Sequence, residues 1–222
     1  MKLFAVVAML VDHTACVFGD RFPTTIAGDL YYWMRVFGRL AMPIFAYYAA
    51  VGATHTTAPK KYLLRLLIFA VVAEIPFYLA FREHGNVIAT MFLGVLACLT
   101  IRGACGKAVP QKIFAALVGL ACIYIAMEVG TDYGWYGVTM ILGFYICGRG
   151  HLLACIVQCM IAALYYSRGG SPIQMYSLLA LPLIVFFDEY GDKLPSIRLG
   201  RYFFYIFYPT HLAVLWLIYQ II

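Results

Sequence analysis

The chain has 222 residues, of which 64% are hydrophobic and only 12% charged, a composition outside the range of soluble globular domains. If each membrane crossing takes about 20 apolar residues, roughly nine crossings consume most of the chain, and no room remains for a water-exposed catalytic domain. The net charge of +6 does not indicate nucleic acid, because the basic residues sit in short links between apolar runs, where they set topology.

The first apolar run, Leu3 to about Gly19, follows Lys2 as a signal peptide would, but Asp12 and His13 interrupt it, and it reads as a retained first span. Further runs, punctuated by Gly, Pro and charge, lie at residues 30–53, 62–81, 86–102, 113–129, 134–148, 151–167, 173–187 and 202–222. The expectation is an all-α, polytopic membrane helix bundle of about nine transmembrane helices, forming a single domain over residues 1–222. With the N-terminus cytoplasmic, Lys2, Lys60, Lys61, Arg65, Arg102, Lys107, Lys112, Arg149, Lys193, Arg198 and Arg201 face the cytosol. Only Arg21, Arg82 and Arg168 face the other side, the bias that the positive-inside rule requires. The seven cysteines fall mostly within apolar runs and act there as small hydrophobes. Cys155 and Cys159 share a helix face, but no His or carboxylate joins them at ligand spacing, so neither a disulfide framework nor a metal site is expected.

A charged group at the bilayer centre costs about 2.5–3.5 kcal/mol on insertion scales, so each one needs a partner or a purpose. Asp12 and His13 lie about ten residues into the first span, Arg39 midway along the second with Arg35 one turn away, Glu74 within the third, and His211 about ten residues into the last. These positions share a middle depth. A shared polar site would place them so, although a packing ion pair of Asp12 or Glu74 with Arg35 or Arg39 would account for the charges alone. Charge balance does not call for the two histidines. In the last span Arg201, Tyr205, Tyr208 and His211 follow at intervals that keep a basic group, two phenols and an imidazole on one side of a helix. Lys60, Lys61 and Arg65 open the third span, and with Arg198 and Arg201 they form a basic cytoplasmic mouth suited to a polyanionic ligand or to acidic lipid headgroups. The link around Glu128, Asp132 and Tyr133, on the opposite side, is acidic.

Seven segments carry a resemblance: AMLVDHTACVF at 8–18, GRLAMPIFAYYAAVG at 38–52, KKYLLRLL at 60–67 followed by AEIPFYL at 73–79, NVIATMFLGV at 86–95, DYGWYGV at 132–138 and YFFYIFYPTHL at 202–212. With them the chain resembles the TraX family of pilin acetylases, related to the acyltransferase-3 group of membrane acyltransferases. The resemblance implies transfer of an acetyl group from cytosolic acetyl-CoA to an acceptor, which for the type member is the N-terminal amine of processed pilin. It implies a bacterial inner membrane location, and it points to His13 with Asp12 as the catalytic pair, with Arg39, Arg65 and His211 as further site residues. Asn86 and Asp132, at the starts of two matching segments, join Arg35, Glu74, Tyr205 and Tyr208 as candidates for a substrate-facing or structural polar site.

Acetyl transfer from a thioester needs a base, stabilisation of the tetrahedral oxyanion and a grip on CoA. His13 suits the base, with His211 competing. Asp12 either orients His13 or, since neighbours on a helix point about 100 degrees apart, serves Arg39. Arg39 or Tyr208 suits the oxyanion. Lys60, Lys61, Arg65 and Arg201 suit the CoA phosphates. The acceptor is an amine or a hydroxyl, and both a direct transfer and an acetyl-His intermediate are compatible with these residues. Intramembrane Asp, His, Arg and Glu also serve proton-coupled transporters and flippases, and a non-enzymatic pilus-assembly scaffold would use them only for packing. The apolar exterior permits a homodimer.

Overall fold

A computed structural model describes residues 1–21, 24–193, 200 and 202–222. Among them all the long elements are helical. Lipid demands this, because each backbone N–H and C=O has to find its partner within its own segment. The helices are α1 (Lys2–Phe18), α2 (Thr24–Gly38), α3 (Ala41–His55), α4 (Pro59–Phe81), α5 (Val87–Ala104), α6 (Val109–Glu128), α7 (Gly134–Cys147), α8 (His151–Ser167), α9 (Ala180–Tyr190) and α10 (Phe203–Ile221), with a 3-10 segment at Pro172–Leu179 leading into α9.

Among the described residues seven stretches are long and apolar enough to cross a membrane: Lys2–Arg21, Asp29–His55, Pro59–Phe81, Val87–Ala104, Val109–Glu128, Pro172–Tyr190 and Phe203–Ile221. The chain is thus an all-α, multi-pass membrane protein. α7 and α8 are apolar but have 14 and 17 residues. At 1.5 Å per residue these are about 21 and 25 Å long, short of the roughly 30 Å hydrocarbon core. They occupy two of the nine segments read from the sequence.

The second stretch is not one helix. α2 stops at Gly38, where the Arg39 N–H bonds back to both Arg35 and Val36 carbonyls at 3.1 and 3.2 Å and the Leu40 N–H to the Phe37 carbonyl at 3.2 Å. These tightened bonds end the first helix. α3 restarts at Ala41 with Pro43 in its first turn, where a missing N–H costs no intrahelical bond. Arg39 sits in this break, between the last residue of α2 and the first turn of α3.

The chain forms two compact units. The first comprises Met1–Phe45, Ile75–Glu83 and Ala162–Ile222. In it α1 packs against α2 and α10, and the Pro172–Leu179 segment lies against α2 and α9. The second comprises Ala46–Glu74 and His84–Ile161, with α5, α6 and α7 packed on one another around Val95, Tyr136 and Ile141, each at most 1% exposed. Arg102 caps the end of α3 by donating to the Ala53 and Thr56 carbonyls at 3.0 and 2.9 Å.

Glu74, weighed above as a partner for Arg35, does something else. Its carboxylate accepts from the backbone N–H of Gly85 at 2.8 Å and of Asn86 at 3.3 Å, from the Asn86 amide at 2.7 Å, and pairs with His84 at 3.2 Å. Asn86, wholly buried, also donates to the Ala70 carbonyl and caps α5 by accepting from the Ile88 N–H. These two residues tie α4 to the start of α5. Nearby, Asp132 bonds through its backbone to Gly85 and to the Thr90 hydroxyl, which places it in the turn before α7. Replacing Asn86 by Ala leaves buried acceptors unpaired and removes the cap, and is expected to cost about 1–3 kcal/mol; a lowered unfolding midpoint of the detergent-solubilised protein checks it.

Candidate functional site

The first unit gathers at one place the polar residues of α1, of the end of α2 and the break after it, and of α10. Asp12, His13, Arg39 and His211 are each between 5 and 8% exposed. They meet because α1 lies against both α2 and α10, and because residue 38 is glycine: a methyl group there would overlap the Asp12 side chain. The glycine lets the end of α2 close on α1.

Asp12 and His13 point apart, as adjacent residues on a helix do, and serve different partners. Asp12 binds two guanidinium groups. Its Oδ2 accepts from Arg39 Nη2 at 2.6 Å, and its Oδ1 lies 2.9 Å from Arg35 Nη1. Arg39 also donates from Nη1 to Gln174 Oε1 at 3.1 Å and from Nε to the Arg35 carbonyl at 3.4 Å, so all three of its nitrogens are engaged. Arg35 is less committed. Its Nη1 reaches Asp12 and the Cys16 thiol, while Nε and Nη2 make no hydrogen bond among the described residues. One carboxylate against two guanidiniums leaves the cluster with an excess positive charge, and Arg35 holds the donors still open to an anion.

His13 faces α10. Its Nδ1 lies 2.7 Å from His211 Nε2, with the two ring planes 7° apart, and His211 Nδ1 donates to the Phe207 carbonyl at 2.8 Å. Aromatic rings wall the pair: Phe81 and Tyr208 stand edge-on to His13 at 5.3 and 6.0 Å, and Phe207 stacks on His211 at 4.8 Å. Pro209, two residues before His211, has no N–H to return to the Tyr205 carbonyl, which loosens α10 there.

A cleft of about 420 Å³ opens at the C-terminal ends of α1, α4 and α10. Its lining includes Cys16, Asp20, Ala80, Trp216 and Tyr219. The Tyr219 hydroxyl donates to Asp20 at 2.9 Å, and the buried Trp216 indole N–H has no hydrogen-bond partner among the described residues. Cys16, in the wall of this cleft, takes a hydrogen bond from the same Arg35 that pairs with Asp12.

Of the residues expected from sequence, the structure thus joins Asp12, His13, Arg35, Arg39, Tyr208 and His211. Tyr205 is half-buried, its ring 6.5 Å from that of Tyr202. Glu74, Asn86 and Asp132 make the loop contacts of the second unit. That unit also holds Lys60 and Lys61, exposed in the first turn of α4, and Arg65, half-buried, with its guanidinium 5.8 Å from the Tyr62 ring and its buried Nε without a hydrogen-bond partner among the described residues. Arg201 lies outside the described residues. Gln174, 4% exposed, was missed, although a lone amide inside an apolar span is the same kind of exception that marked the others. Cys16 gave no signal, since cysteine passes for a small hydrophobe.

A family model described as "TraX protein" matches residues 1–219. A probable fimbrial assembly protein FimC, serogroup H1, of Dichelobacter nodosus is 31% identical over 97% of this chain and 92% of its own length. Protein TraX of Escherichia coli is 26% identical over 97% of this chain and 84% of its own length. An uncharacterized protein of Rickettsia prowazekii, RP591, is 27% identical over 65% of this chain and 53% of its own length. No solved structure matches.

Arg39 to Met breaks a buried pair and abandons Gln174, and is expected to cost about 3–5 kcal/mol of stability; Arg35 to Met, which removes the more exposed guanidinium, is expected to cost less. Thermal unfolding in detergent orders the two variants.

Proposed function

The chain belongs to the TraX family, and we propose that it is a membrane acetyltransferase that moves an acetyl group from acetyl-CoA to an acceptor amine, with an imidazole of the buried pair, His13, as the base. The observation that carries this reading is the juxtaposition in one unit of a bonded imidazole pair and a charge cluster with spare guanidinium donors. Charge balance alone would need neither histidine. The names of the relatives, one a fimbrial assembly protein, favour a pilin-type subunit as acceptor. The location is the bacterial inner membrane, with the N-terminus cytoplasmic.

The reaction follows from these groups. An α-amine with a pKa of about 8 arrives largely as ammonium and loses one proton to solvent. The neutral nitrogen attacks the thioester carbonyl carbon, an N–C bond forms, and the N–H proton passes to His13. The carbonyl oxygen becomes an oxyanion, for which Arg35 is better placed than Arg39, because Arg39 spends its donors on Asp12, Gln174 and the Arg35 carbonyl. The C–S bond then breaks, and the CoA thiolate takes the proton from the imidazolium and leaves as the thiol. Asp12 keeps the guanidiniums in register and is a positioning residue.

CoA carries phosphates, and Lys60 and Lys61, exposed in the first turn of α4, are suited to them by charge, with Arg65 one turn further on. The cleft at the C-terminal ends of α1, α4 and α10 serves as the way in for the acceptor, because Cys16 in its wall takes a hydrogen bond from the Arg35 that pairs with Asp12.

Purified protein given acetyl-CoA and a short peptide with a free N-terminus is expected to release CoA thiol and acetylate the peptide. Replacing His13 by Ala should lower turnover by at least about 10²-fold while leaving the protein monodisperse; full turnover by that variant contradicts the assignment. Replacing Ala80 by Trp, which fills the cleft, should raise the KM for the peptide and leave that for acetyl-CoA unchanged, as measured by initial rates.

A further inference from the structure

The two imidazoles are not equivalent, and the difference follows from what each nitrogen touches. A carbonyl oxygen only accepts. The 2.8 Å contact between His211 Nδ1 and the Phe207 carbonyl therefore requires the proton of His211 to sit on Nδ1. In the neutral ring that leaves Nε2 as a bare lone pair. This lone pair faces His13 Nδ1 at 2.7 Å. Two lone pairs at that distance would repel, so His13 carries its proton on Nδ1 and donates it to His211. What remains is His13 Nε2, which has a lone pair and no hydrogen bond among the described residues.

We propose that His211 is a positioning residue that sets the tautomer of His13 and so makes His13 Nε2 the atom that takes the proton from the acceptor. The inference rests on the acetyl-transfer reading and settles which imidazole is the base. The Phe207 carbonyl starts the chain of bonds, and His211 transmits its direction across the gap between α10 and α1. His211 has no lone pair left for substrate, because its Nδ1 is bound to the helix and its Nε2 to His13. When His13 gains a proton at Nε2, its Nδ1–H bond to His211 strengthens and spreads the charge over both rings. Returning the proton to the CoA thiolate restores the starting tautomers.

The test reads the tautomer directly. In protein labelled with ¹⁵N-histidine, nitrogen chemical shifts at mildly alkaline pH separate protonated from bare ring nitrogens, and the His13 signals are identified by their loss in the His13→Ala variant. In the unaltered protein the bare nitrogen of His13 is expected to be Nε2. The His211→Gln variant puts an amide oxygen where His211 Nε2 was and should keep that pattern. The His211→Phe variant offers no acceptor, and His13 should shift toward the tautomer with its proton on Nε2. Turnover should follow: kcat within about tenfold of the unaltered protein for the Gln variant, and lower by about 10²-fold or more for the Phe variant, with the KM for acetyl-CoA unmoved in both. A proton on His13 Nε2 in the unaltered protein overturns the proposal. So does equal loss of turnover in both variants while His13 keeps its proton on Nδ1, since His211 would then be handling the transferred proton itself. A bare Nε2 in protein that transfers no acetyl group upholds the tautomer assignment and refutes the acetyl-transfer reading.

Discussion

One carboxylate in an apolar interior organises the site. Asp12 is 5% exposed, a position where an isolated charge would be costly, and its two oxygens pair with Arg35 at 2.9 Å and Arg39 at 2.6 Å. In return it holds two guanidiniums that could not otherwise stay in lipid. Gly38 and the break between α2 and α3 exist in this structure at the one place where both arginines have to reach the same carboxylate. Replacing such a group of charges by hydrophobes often leaves a protein as stable or more so. Its retention is therefore easier to understand as a requirement of function than of folding.

The division of labour between Asp12 and His13 follows from helix geometry. Adjacent residues point about 100 degrees apart, so the acid looks to α2 and the imidazole to α10. A carboxylate oriented by arginines and an imidazole oriented by a second imidazole give a site in which positive charge and proton acceptance are separately supplied. Acyl transfer needs both, the first for the oxyanion and the second for the attacking nitrogen.

Much of this was legible in the sequence because lipid makes polar residues conspicuous. The shared depth of Asp12, His13, Arg39 and His211 was readable from their distances along three apolar runs, and the pairing of Asp12 with Arg39 was one of two roles open to it. The same rule misplaced Glu74. It is about as deep in its helix, yet the chain after α4 folds back and brings the N–H groups of Gly85 and Asn86 to its carboxylate. Hydropathy carries no information about such a return. Nor does it reveal the interruption at Arg39, since residues 30–53 are continuously apolar apart from the charges, and the break is made by backbone bonds of Arg39 and Leu40. Arg35 was seen as a neighbour of Arg39. Its open donors depend on which partners the other groups chose, a matter of three-dimensional arrangement.

In the proposed reaction the buried polar cluster breaks and makes covalent bonds rather than relaying ions through the membrane. The fate of a labelled acetyl group separates the two. In vesicles containing the purified protein, supplied with acetyl-CoA labelled in the acetyl carbon and a peptide acceptor, the account predicts label covalently attached to the peptide amine and an equal amount of CoA thiol. Intact acetyl-CoA together with movement of ions or solute across the vesicle membrane would contradict it.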